Sequence, residues 1–106
     1  MTKEKPAGKA RSSPKRPLEI TFSGDVFTIF FEIDNHEVTL HGDPGGGFKR
    51  TFEDFPPGSI NILLHVKGLN TTAWALTLKY DGKPALEEKG HIQDGFSHLV
   101  EPVTLK

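Results

Sequence analysis

Five histidines in a chain of 106 residues are the side chains best suited to bind a metal or move a proton near neutral pH. His36 and His41 are the closest pair. In an extended strand over 36–41, His36 shares a face with Val38 and Leu40 while His41 shares one with Glu37 and Thr39, so the two cannot converge on one ion without a bulge. His65, His91 and His98 lie far apart in sequence and meet only if tertiary pairing brings them together. The histidines therefore read as solvent-facing or hydrogen-bonded groups. Calcium has candidate ligands in Asp34, Asp43, Asp81 and Asp94, all in turn-forming stretches, yet none shows the spaced acidic pattern of a dedicated calcium loop. Aspartate in a turn has a simpler role, because its side chain hydrogen-bonds the local backbone. No metal and no cofactor is expected.

Catalytic constellations are as sparse. The chain has no cysteine, hence no thiolate nucleophile and no disulfide. No Gly-x-Ser-x-Gly elbow is present. Glu87 and Glu88 are adjacent in a predicted strand and so point to opposite faces rather than forming a carboxylate pair. An enzyme is not expected.

Binding chemistry has more to draw on. The stretch from Gly42 to Gly47 holds four glycines, Asp43 and Pro44, and leads into Phe48-Lys49-Arg50. A phosphate-binding Walker loop would need Gly-Lys-Ser/Thr opening a helix, whereas a strand follows here. A mobile connection with weak anion affinity through Lys49 and Arg50 is the reading, and Asp43, Gly45, Gly46, Lys49 and Arg50 are the first candidates for a recognition loop. Phe30 is a second candidate. It falls opposite Phe27, Ile29, Phe31 and Ile33, among Thr28 and Glu32, so it is an exposed aromatic if that face is open. Trp74 and Tyr80 could stack on a sugar, but they share parity with Leu76 and Leu78. That places them in a core, with the Tyr80 hydroxyl at the rim reaching water.

Charge divides the chain in two. Residues 1–17 hold six of the 13 basic side chains, Lys3, Lys5, Lys9, Arg11, Lys15 and Arg16, against Glu4 alone, a net of +5 that leaves −6 for residues 18–106. Prolines, glycine and self-repulsion keep such a segment from burying enough surface to offset its ordering entropy, so a disordered basic arm is expected over 1–17. Its six cations are candidates for polyanion contact, with a salt dependence of about −0.9 per phosphate neutralised. The spacing Arg11-x-x-Pro14-x-x-Pro17 fits an SH3 ligand, although its intervening positions are polar where such ligands offer apolar side chains.

From Leu18 onward the hydrophobic period is two. Leu18, Ile20 and Phe22 alternate with polar residues, Phe27, Ile29, Phe31 and Ile33 alternate with Thr28, Phe30 and Glu32, and a third strand holds Val38 and Leu40. A short strand follows at 48–52. Ile60, Ile62, Leu64 and Val66 then share one face of the clearest strand, and Trp74, Leu76, Leu78 and Tyr80 one face of the next. Asp34-Asn35 and Asp81-Gly82 supply hairpin turns. Ala85 to Lys89 is a short return strand, and Phe96 to Leu105 a final one whose Pro102 suits a sheet edge. No window has sustained helical spacing, and none approaches the run of about 18 apolar residues of a membrane span.

Seven or eight short strands with regular turns predict an all-β, antiparallel β-sandwich over residues 18–106, one domain with one core. The pattern resembles the broad immunoglobulin-like or transthyretin-like architecture, although the Cys-Trp-Cys spacing of antibody-type domains is missing. The expected function is a non-enzymatic binding module. It would recognise a protein or carbohydrate partner through an end loop or a sheet face, with the arm as tether, outside the cytoplasm if a leader precedes the chain. The rival is an intracellular protein whose basic arm contacts nucleic acid, which the acidic body opposes and which no arm aromatic supports by stacking.

Overall fold

The computed structural model describes residues 15–42 and 47–106, and within them every regular element is a β-strand. In chain order these are β1 (Arg16–Gly24), β2 (Thr28–Ile33), β3 (His36–Glu37), β4 (His41–Gly42), β5 (Phe48–Phe55), β6 (Gly58–Lys67), β7 (Ala73–Tyr80), β8 (Lys83–His91) and β9 (Phe96–Leu105). They form two antiparallel sheets packed together, one in the order β9-β6-β2-β3 and the other β4-β5-β1-β7-β8. The all-β sandwich expected from the alternating pattern is present.

Alternation is the cause of the packing. Leu18, Ile20 and Phe22 from β1 and Trp74, Leu76, Leu78 and Tyr80 from β7 face inward from the larger sheet. Phe31 and Ile33 from β2, Ile60 to Val66 at alternate positions of β6, and Val103 and Leu105 from β9 meet them from the other. No charged or polar residue is buried among the described residues. Tyr80 departs from its expected place at the rim: it is buried, and its hydroxyl donates to the Phe55 carbonyl at 2.6 Å across the intervening β1, the partner that a buried phenol requires.

Turn chemistry sets the register. Asp34 and Asn35 (φ 50° and 68°) and Asp81 and Gly82 (φ 55° and 78°) make two-residue turns with positive φ at both central positions, matched to the strand twist. A third such pair, Asp94 and Gly95, joins Gln93 to Phe96 and carries the chain from the larger sheet to the smaller.

β5 runs on to Phe55 and β8 spans Lys83–His91, longer than the expected 48–52 and 85–89, and three further differences from the sequence reading change how the chain is laid out. First, β1 starts at Arg16, inside the span assigned to the arm. Arg16 pairs with Phe55, its Nε lies 4.0 Å from Asp81 Oδ2, and the Pro17 carbonyl accepts the Asp81 amide. Second, Phe27 stands outside β2 because the chain bends at Phe27 itself, and Val26 packs on the core in its stead. Third, the strand expected over 36–41 is two pieces in different sheets: β3 pairs with β2, β4 pairs with β5, and Val38 to Leu40 crosses between them. The opposite-face comparison of His36 with His41 therefore loses its premise, since the two do not share a strand. With the two pieces counted separately the described residues form nine strands, where seven or eight were expected.

Of the four edge strands, the short β3 and β4 and the long β8 and β9, the two long ones each contain a proline, Pro84 beside a register shift and Pro102 opposite Asn61. This is where a residue without an amide hydrogen is tolerated.

Candidate functional site

Four large apolar side chains are strongly exposed among the described residues: Phe27 at 71 %, Leu69 at 67 %, Val100 at 59 % and Phe96 at 46 %. Three of them crown one end of the sandwich. Phe27 follows β1, Leu69 follows β6 and Phe96 opens β9, and the register places Thr28, Lys67 and Phe96 in one cross-strand row. The loops carrying them are pinned to one another. Phe27 N donates to Lys67 O, Gly68 N to Gly95 O, Thr71 N to Ile92 O and Gly95 N to Asn70 Oδ1, at 2.7 to 3.1 Å. Thr71 has φ 71°, a backbone region costly for a β-branched residue, and the bond to Ile92 holds it there. The tip is thus held in one shape rather than left to the turn residues alone.

From this tip an apolar stripe runs down the outer face of the smaller sheet. Strand parity puts Phe96, His98 and Val100 of β9, Leu63 and His65 of β6, and Phe30 of β2 on that face. Register aligns His98, His65 and Phe30 in one row and Val100, Leu63 and Glu32 in the next. His65 stacks on Phe96, with ring centroids 5.4 Å apart and planes 20° from parallel, and its Nδ1 lies 3.4 Å from Nδ1 of His98. Beside Leu63 and Val100 is a shallow depression of about 200 Å³ walled by Glu32, Asn35 and Asn61.

The outer face of the larger sheet has a different character. Glu19, Thr21, Ser23, Lys49, Thr51, Ala73, Ala75, Thr77, Lys79, Glu87 and Lys89 occupy it with His41, opposite Lys49, and His91, opposite Ala73; among the described residues it has no Phe, Tyr or Trp and no large aliphatic side chain. Lys49 Nζ and Glu19 Oε2 form an ion pair there at 2.8 Å.

Of the residues singled out from sequence, Phe30 lies in the stripe, half-buried between strands rather than fully exposed. Lys49 and Arg50 do not make a common anion site, because neighbours in a strand face opposite ways. Lys49 is on the outer face. Arg50 turns toward the side of the sandwich, where Nη1 donates to the Thr39 carbonyl at 3.2 Å and the guanidinium sits 4.7 Å over the Phe52 ring. It thereby fastens the crossing segment 38–40 to β5 at the edge of a cleft of about 320 Å³ floored by Ile33, Val38, Phe52 and Phe55. Lys15 is exposed ahead of β1 and Arg16 stands in it. Asp43, Gly45, Gly46, Lys3, Lys5, Lys9 and Arg11 lie outside the described residues.

The sequence reading did not find the pair His65 and His98 or the tip residue Leu69. Each histidine sits at an outward position of its own strand, a signal visible in the alternation, but which strand pairs with which is tertiary information. Among the described residues no three His, Cys, Asp or Glu side chains are grouped to hold a metal, and no helix is long and apolar enough to cross a membrane. Comparison with known protein families, with curated proteins and with solved structures gives no match.

Proposed function

We propose that the domain is a non-enzymatic binding module, an immunoglobulin-like sandwich in the broad sense, that recognises a protein partner through its apolar tip and the outer face of the four-stranded sheet. The observation that carries this reading is the asymmetry between the two outer faces. Each face carries two histidines, but one adds Phe96, Val100, Leu63 and Phe30, while the other, among the described residues, adds only small, polar and charged side chains. Water-exposed aromatic and aliphatic groups concentrated on one face mark interaction surfaces, and aromatic anchors dominate the energetics of protein interfaces. The candidate sugar platform of Trp74 and Tyr80 is buried, which removes that support for a carbohydrate and leaves a protein as the partner proposed. The basic segment ahead of β1 serves as tether in this reading.

Photo-crosslinking tests it. A benzophenone side chain at Val100 in the cells that make the protein is expected to give a discrete protein adduct that Phe96→Ser abolishes, while the same probe at Thr77 gives none. Adducts from Thr77 alone, or a Val100 adduct indifferent to Phe96→Ser, would refute it.

A further inference from the structure

His65 and His98 face each other directly across the β6–β9 ladder, and the Nδ1 atoms are 3.4 Å apart. That separation is long for a nitrogen hydrogen bond, whose usual range ends near about 3.2 Å. It suits another arrangement better. Two imidazole nitrogens each about 2.05 Å from one tetrahedral ion are separated by about 3.35 Å, and a right-angled site would bring them to about 2.9 Å. We propose that His65 and His98 chelate a single Zn²⁺ ion on the outer face of the four-stranded sheet, with the two remaining tetrahedral positions open to water.

Three further features fit a chelate. The ladder fixes both Cα positions, and the Phe96 ring stacked on His65 restrains the imidazole, so little side-chain freedom is lost on binding. The two rings meet edge to face, 67° apart, rather than in a stack that would turn the nitrogens away from a shared point. Residues 18–106 carry a net charge of −6, and Glu32 flanks the pair one row away, which favours a cation; Lys67, on the other side of His65, opposes it. The ligand set is borderline-soft nitrogen, suited to zinc rather than to calcium or magnesium. With only two protein ligands the site is of modest affinity, and it stands whether or not the face also meets a protein partner.

The test is a Zn²⁺ titration of the full chain in a non-coordinating buffer near neutral pH, reading the ring nitrogens of all five histidines by NMR. His65 and His98 are expected to respond together while His36, His41 and His91 stay put, and acidification to release the ion because coordination needs neutral imidazole. His65→Gln and His98→Gln are each expected to weaken binding at least tenfold, about 1.4 kcal/mol, and His91→Gln less than twofold. Both histidines are at the surface of the ladder, and backbone amide spectra check that the variants keep the fold. Ring signals of His65 and His98 unmoved at about 1 mM Zn²⁺, an equal response from all five histidines, or undiminished binding in the His65→Gln/His98→Gln double variant would overturn the proposal.

Discussion

The indole of Trp74 lies on the backbone of Gly90, its direct partner across the β7–β8 ladder: a Cβ built on Gly90 would stand 2.5 Å from Cζ2 and 2.7 Å from Cε2 of the ring. The indole has no room to retreat, being buried and stacked on Phe22 with centroids 6.1 Å apart. Its Nε1 has no hydrogen-bond partner among the described residues, so shape rather than polarity holds it in place. Glycine inside a strand ordinarily weakens it. Here the missing side chain is what admits the ring.

Gly90→Ala is therefore expected to destabilise the domain by about 1 to 3 kcal/mol, the cost of overpacking, although glycine-to-alanine within a strand ordinarily stabilises. Denaturant unfolding measures this. In a Trp74→Leu background the same change should cost clearly less, and a double-mutant cycle with no coupling would show that the two residues do not touch.

Leu64→Ala is expected to cost about 2 to 5 kcal/mol, since Leu64 is fully buried in an interior strand. Phe30→Ala, from a half-buried position on the outer face, should cost distinctly less. Chemical denaturation of the two variants side by side decides it; a larger loss for Phe30→Ala would mean that the inner and outer faces of β2 are assigned the wrong way round.

Thr71→Asn should raise stability by about 0.5 to 1 kcal/mol, because asparagine tolerates the left-handed backbone that threonine resists. The exchange touches no core residue, since Thr71 is exposed. A lower melting temperature in the variant would show that the backbone at 71 carries no strain worth relieving.

The sequence carries the inner faces of β6 and β7 almost without loss, since alternation is a local signal and burial follows from it. Asp34-Asn35 and Asp81-Gly82 were legible for the same reason: the turn chemistry sits in the two residues that make the turn. Phe27 was not, because a bend one residue long shifts parity without changing composition. The split of 36–41 into β3 and β4 was hidden for a deeper reason, as the choice of sheet for each half depends on β2 and β5, which lie elsewhere in the chain. The candidate site suffers most from this limit. Phe30 could be found from its own strand, but the meeting of His65 with His98 depends on a pairing between segments 33 residues apart.

Pro84 and Pro102 stand on β8 and β9, the two long strands among the four at the sheet edges, and bear on how another chain could pair there. An outer strand with all its amides available can accept an extended peptide by backbone pairing, a mode nearly blind to which peptide arrives. Proline removes a donor and interrupts that pairing, so β8 and β9 make poor templates for a foreign strand. At the second of these two edges, side chains such as Phe96 and Val100 are what β9 offers to another molecule in place of an uninterrupted row of amides. A surface that works through side chains can change its choice of partner by one substitution at a time, and can do so without disturbing the sheets beneath it.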